Sequence, residues 1–235
     1  MKPTLYVAVH HGALLDLWRA QGARALRLCH VDAHCDLRGL LVDPARDRAA
    51  ARGLSAPDNG NFLAVAAAEG RLESLRWVWP RWGGRARDVG TVRRLGDPSA
   101  LPVRLGVSRP DWFPFRYVDM REERFSGRLE EGEHLDVDWD FFATREGPLE
   151  GLRDRVARFL ALPLTPTPPA IYLAHSPPYS HPTAPRFEEL VRALSARFDA
   201  DVVRLPDPPR VPRVPTLTTR ARWAAEGWLH RRGLF

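Results

Sequence analysis

Two short segments hold the residues best equipped to do chemistry. His30-Val31-Asp32-Ala33-His34-Cys35-Asp36 and His134-Leu135-Asp136-Val137-Asp138-Trp139-Asp140 each place ionisable side chains at alternate positions. Alternation on an extended chain sends those side chains to one side. Asp32, Asp36, Asp136, Asp138 and Asp140 would then share a small volume. Two carboxylates ~5 Å apart repel by roughly 3 kcal/mol at an effective dielectric of about 20, and several such pairs add up. At neutral pH the natural remedy is a divalent cation. Imidazole with carboxylate suits manganese, zinc or iron rather than calcium, which takes oxygen alone. Two cations sharing a bridging aspartate would use four carboxylates and two histidines. An isolated Asp-x-Asp on a turn is commonly a cap or a solvated pair. Its recurrence after a second strand-like run argues for a built site.

The elements that must position these groups read as alternating strands and helices. Leu5–Val9 has strand character and ends at His10 and His11, either of which could supply the upstream ligand; His10 follows the run directly and is preferred. Residues 13–23 form an amphipathic helix with Leu14, Leu17 and Trp18 at helical spacing. Residues 26–31 are a strand running into Asp32, and 61–69 a short helix closed by Gly70. Residues 75–79 form a strand ended by Pro80, 81–114 an irregular region with a hairpin, 134–138 a strand and 149–160 a helix. Residues 170–174, 186–198 and 202–205 complete the series as strand, helix and strand. A proline-rich tail begins at about 206, with a short helix near 220–230. The alternation predicts a three-layer α/β/α domain with a mostly parallel sheet, spanning 1–235 as one unit. In such sheets ligands bind beyond the carboxyl ends of the strands, where both aspartate segments fall.

Composition narrows the classes. The chain has 235 residues, 44% hydrophobic and 27% charged, enough for one sizeable core and unlike a disordered chain. No run approaches the ~20 apolar residues of a membrane span, and nothing resembles a secretory leader, so a cytoplasmic location is expected. The net charge of +6 comes almost wholly from arginine, Lys2 being the sole lysine. The arginines are scattered and no nucleic-acid motif accompanies them, so a peptide or small substrate is expected rather than a nucleic acid or a membrane. Cys29 and Cys35 are expected to be reduced thiols. Strand alternation turns Cys35 away from the cluster.

These residues resemble those of the ureohydrolase superfamily, which includes arginase and agmatinase. Val31-Asp32-Ala33-His34-Cys35-Asp36 matches its Asp-Ala-His-x-Asp motif, and Leu135-Asp136-Val137-Asp138 its later Asp-x-Asp. His10-x-x-x-Leu14, Gly60-Asn61-Phe62 and Trp77-Val78-Trp79-Pro80 more closely resemble a divergent arginase-like family that includes peptide arginases. The resemblance implies an arginase/deacetylase-like fold and two Mn2+ ions, with Zn2+ or Fe2+ as alternatives. It implies Asp32 and Asp136 as bridging carboxylates, His10 and Asp36 completing one metal site, and His34 and Asp138 the other. The reaction implied is hydrolysis of an arginine guanidino group, on a peptide, to ornithine and urea. The histidine shuttle that follows Gly-Asn in arginase is replaced by Phe62 and Leu63. The later acidic motif gives way to Ala174-His175-Ser176-Pro177-Pro178-Tyr179-Ser180-His181. His175 or His181 is therefore expected to shuttle the proton, with Asn61, Asp140, Ser176 and Tyr179 on the substrate side. Two rival readings remain: a deacetylase-like amidohydrolase with one zinc, and a metal-stabilised peptide-binding module without catalysis.

Overall fold

Short apolar runs, buried on both sides, set the architecture. In the computed structural model, residues 2–37, 60–81, 116–143, 150–177, 180 and 184–206 are described. Seven strands, β1 (Thr4–Ala8), β2 (Leu26–Val31), β3 (Leu72–Trp79), β4 (Arg116–Arg121), β5 (His134–Asp138), β6 (Ala170–Ala174) and β7 (Asp201–Arg204), form one sheet in the order β4-β3-β2-β5-β6-β1-β7. Every pairing is parallel. β6 is buried at every position, the pattern of a strand covered on both faces.

Helices α1 (Ala13–Ala20), α2 (Phe62–Ala68), α3 (Leu152–Ala161) and α4 (Ala184–Phe198) supply the covers. Strand alternation divides the core in two. Leu28, Ala170 and Tyr172 pack with Leu14, Leu15 and Trp18 of α1 and with Phe62–Ala67 of α2. The intervening residues Cys29, Val31, Leu135, Val137, Ile171 and Leu173 face Leu152 and Phe159 of α3 and Phe187, Leu190 and Leu194 of α4. The sheet is thus the middle layer of three, and its two central motifs each contribute alternate residues to opposite cores. Among the described residues no helix is long and apolar enough to cross a membrane.

Most expected elements occur with small shifts. The helix expected over 149–160 starts at Leu152, because Gly151 turns through φ +71° just before it. β4 is a strand that the sequence reading passed over. Its charges at Arg116, Asp119 and Arg121 break the apolar alternation that marks a core strand. It lies at the sheet edge among the described residues, where charge deters edge-to-edge pairing. The register between β2 and β3 slips between Leu26 and Arg27, whose partners are Leu72 and Ser74. Apart from Arg81, the irregular region over 81–114 lies outside the described residues, as do the tail beyond Pro206 and the helix expected near 220–230.

Leu173 sits fully buried in β6. Leu173→Ala should lower unfolding free energy by about 2–5 kcal/mol in urea titrations, from lost transfer energy plus the cavity; a loss under ~1 kcal/mol would contradict this packing.

Candidate metal centre

β2 and β5 are parallel neighbours, with His30 paired in register to Asp136. Their carboxyl ends therefore deliver both aspartate motifs to one edge. Asp32 extends β2: its backbone N–H donates to the Val78 carbonyl at 3.1 Å, and its own carbonyl accepts from Trp77 Nε1 at 2.9 Å. The chain then turns back. Asp36 adopts φ +50°, a left-handed conformation that short Asx side chains tolerate better than most. Its carbonyl accepts from Ala64 N–H of α2 at 3.3 Å. Beyond β5, a 3-10 turn over Trp139–Phe141 brings Asp140 in, with its N–H donating to Asp138 Oδ1 at 3.2 Å.

The upstream histidine is His11, not the preferred His10. β1 ends at Ala8, and the carbonyls of His10 and His11 accept from Ala13 and Leu14 N–H as α1 begins. That turn drives His11 inward, fully buried, its ring centroid 4.6 Å from that of Phe62, while His10 stays half-buried. Immediate succession to a strand was a poor guide because the strand stops two residues short of His10.

His11 stands among four carboxylates. Its Nε2 is 2.8 Å from Asp136 Oδ1, and its Nδ1 is 3.0, 3.3 and 3.4 Å from Asp138, Asp32 and Asp36. His30 Nδ1 is 2.8 Å from Asp136 Oδ2, and His34 Nδ1 is 2.8 Å from Asp140 Oδ2. Backbone N–H groups complete the frame: His34 donates to Asp32 Oδ1 at 2.6 Å and Ala33 to Asp140 Oδ1 at 3.2 Å. Three overlapping sets bring one donor atom each within 4.8 Å of one another: His11, His30 and Asp136; His11, Asp32 and Asp36; Asp32, His34 and Asp140.

These groups could hold metal ions. Buried polar atoms are almost always hydrogen-bonded, yet His11 Nδ1 and Asp32 Oδ2 have no such partner. They lie 3.3 Å apart in the middle of the cluster. Two such atoms, close together but not aligned to bond each other, suit adjacent positions around one cation.

The charges are otherwise balanced by protons. Burial and the nearby Asp32 charge push the Asp36 carboxyl up to about 6. Burial, then the charges of Asp138 and Asp32, raise Asp140 well above the usual carboxylate range. Burial opposes charge on Asp32 also, but His30, His11 and His34 outweigh it and hold Asp32 well below that range. His34 shows the converse: burial disfavours its cation, while hydrogen bonds to Asp140 and Asp32 push it up to about 12. Burial likewise works against His11, and Asp136 and Asp138 override it and raise its pKa well above the ordinary value.

The other expected residues divide. Asp140 lies inside the cluster, ion-paired with His34. Ser176 is fully buried and donates from Oγ to Asp138 Oδ2 at 2.6 Å, so it supports a carboxylate. Asn61 is buried at the start of α2, next to Phe62. His175 follows β6, half-buried, its ring centroid 4.8 Å from Phe187; its Nε2 has no hydrogen-bond partner and burial lowers its pKa. Tyr179 and His181 lie outside the described residues. No disulfide joins Cys29 to Cys35, and Cys35 packs by Trp77 and Trp79 outside all three donor sets. The sequence reading missed His30, although its position two residues before Asp32 puts it on the same strand face. Neither a protein-family model nor a curated protein sequence matches this chain.

Two outcomes follow from this geometry. Cations must displace protons here, and Asp36 with its raised pKa holds one below about 6. A carboxyl whose folded pKa is raised destabilises the metal-free fold as pH climbs from ~4 through ~6. His34 contributes stability that is full below its unfolded value near ~6.5 and fades as pH rises toward its folded value. Thermal melts with and without Mn2+ should therefore show a larger metal-induced rise in Tm at pH 8 than at pH 5.5; an equal or smaller rise would contradict this proton balance. Cys35→Ser should leave metal content unchanged by elemental analysis, and loss of metal would place the thiol in the site.

Proposed function

We propose that this chain is a binuclear metal-dependent hydrolase of the ureohydrolase type, with the three-layer arginase/deacetylase-like fold, acting on the guanidino group of peptidyl arginine. The observation that carries this reading is the buried pair His11 Nδ1 and Asp32 Oδ2, 3.3 Å apart and each without a hydrogen bond, inside a ring of carboxylates. His11, Asp32 and Asp36 would hold one cation. Asp32 and His34 would hold the other, with Asp140 within reach and Asp136 and Asp138 completing the set. The donor set suits Mn2+, with Zn2+ or Fe2+ as alternatives. Bound cations supply an acidified water and stabilise charge developing on the substrate.

The chain's own residues do the rest. The backbone N–H groups of Ala33 and His34 fix the carboxylates of Asp140 and Asp32, and Asp140 in turn fixes the His34 ring, so little reorganisation accompanies the reaction. Ser176 restrains Asp138 in the same way. Hydrolysis adds water across the guanidino carbon and breaks its bond to the side-chain nitrogen, which must leave with a proton. His175, which follows β6 at the same sheet edge, is the described candidate to carry that proton, with its Nε2 lacking a hydrogen-bond partner. The products are urea and an ornithine side chain.

One observation favours a second reading. Asp32, His34 and Asp140 form a donor triad by themselves, with the His34 side chain 29% exposed. A single cation there would suit a deacetylase-like amidohydrolase. Two equivalents of metal per chain support the ureohydrolase reading, and one equivalent the amidohydrolase.

Urea release from arginine-containing peptides in the presence of Mn2+ tests the activity directly. Asp136→Asn should cut both metal retention and urea release by more than ~100-fold while far-UV circular dichroism stays unchanged. Turnover retained in that variant would defeat the site assignment. Metal binding with no urea from any arginine peptide would point to a binding module instead.

A further inference from the structure

His30 is fully buried on β2, one pleat deeper in the sheet than Asp32 and directly across the strand pairing from Asp136. Its polar neighbours are acceptors. Nδ1 lies 2.8 Å from Asp136 Oδ2, while Nε2 lies 3.2 Å from the His34 carbonyl oxygen and 3.4 Å from Asp32 Oδ2. The rings of His11 and Phe62 close in around it, with centroids at 5.4 and 6.4 Å. Both ring nitrogens are thus taken up by protein oxygens on the two aspartate motifs.

We propose that His30 is a positioning residue rather than a metal ligand, tying the two aspartate motifs to each other; the role rests on the binuclear reading above. Parallel pairing fixes the Cα positions of His30 and Asp136 but leaves the Asp136 carboxylate free to rotate about its side-chain bonds. The hydrogen bond from Nδ1 removes that freedom at Oδ2 and leaves Oδ1 facing His11. The bond from Nε2 to the His34 carbonyl fixes the other motif. It anchors the turn whose N–H is already held by Asp32 Oδ1, and it leaves Asp32 Oδ2 without a hydrogen bond. One rigid ring thereby sets the separation of the Asp32 and Asp136 motifs. Outer hydrogen bonds of this kind orient ligands and tune affinity.

The test uses the full chain and Zn2+ or Mn2+ alone, titrated against a competing chelator. Wild type should bind two equivalents. His30→Ala should keep the two equivalents and weaken them by roughly 10–100-fold. His30→Asn places an amide nitrogen near the position of Nδ1 and should recover most of that loss. His30→Gln places its nitrogen near Nε2, leaves Asp136 untethered and should recover less. In the Zn2+-loaded protein, 15N-labelled histidine should show neither His30 ring nitrogen at the chemical shift of a Zn2+-bound imidazole. Unchanged affinity in a folded His30→Ala overturns the role, and so does a His30 ring nitrogen that takes up the Zn2+-bound shift on loading. Should His30→Ala fail to fold, the Asn and Gln variants decide, and equal affinities overturn it. A wild-type chain that takes up no cation overturns the hydrolase reading and this role with it. Normal wild-type binding with insensitive variants overturns this role alone.

Discussion

Five aspartates converge where water hardly reaches, and the whole site is organised around that repulsion. Asp32, Asp36, Asp136, Asp138 and Asp140 are each at least nine-tenths buried. Leaving such a set unpaired and ionised would cost more than a typical domain's net stability. The structure answers with three imidazoles, backbone N–H groups and retained protons. Asp32 and Asp136 are the pair held strongly ionised, and both lie against His11 and His30. Asp36 and Asp140, farther along each motif, are the pair pushed toward the neutral form.

A parallel sheet is what makes this crowding constructible. Strand alternation lets Leu135 and Val137 anchor β5 in one core while Asp136 turns to the opposite face, and Cys29 and Val31 do the same for β2. The motifs are held by residues that never touch the site. α2 contributes from the other side with Ala64, Ala66 and Ala67, side chains small enough to let the helix approach the sheet closely. Phe62, at its start, supplies the wall behind His11. Rigidity comes from two ordinary hydrophobic cores, and the site inherits it.

Much of this was legible in the sequence because it depends on period-two alternation. The two aspartate motifs, the strands that carry them, and the inward direction of Asp32, Asp136 and Asp138 all follow from spacing. What was not legible depends on where strands stop and chains turn. His11 rather than His10 enters the cluster because the turn into α1 starts earlier than the apolar run suggests. Asp140 reaches His34 through a 3-10 turn that breaks strict alternation. Ser176 takes its place through φ +47°, a backbone excursion that its residue type does not announce. β4 was hidden because an edge strand is selected for charge as much as for burial. His30 was within reach of the alternation argument, but only its pairing with Asp136 across the sheet gives it a partner.

Exposure across the cluster also has a direction. Asp32, Asp136, His11 and His30 are fully buried, whereas the His34 side chain is 29% exposed. Solvent therefore meets the cluster at His34, the end where the second cation of the proposed site would lie. Cys35 and the Trp77–Trp79 pair flank that end, their indole centroids 6.4 Å apart. Arg121 stacks on Trp79 with its guanidinium carbon 4.7 Å from the ring, which shows that this aromatic surface accommodates a planar cation.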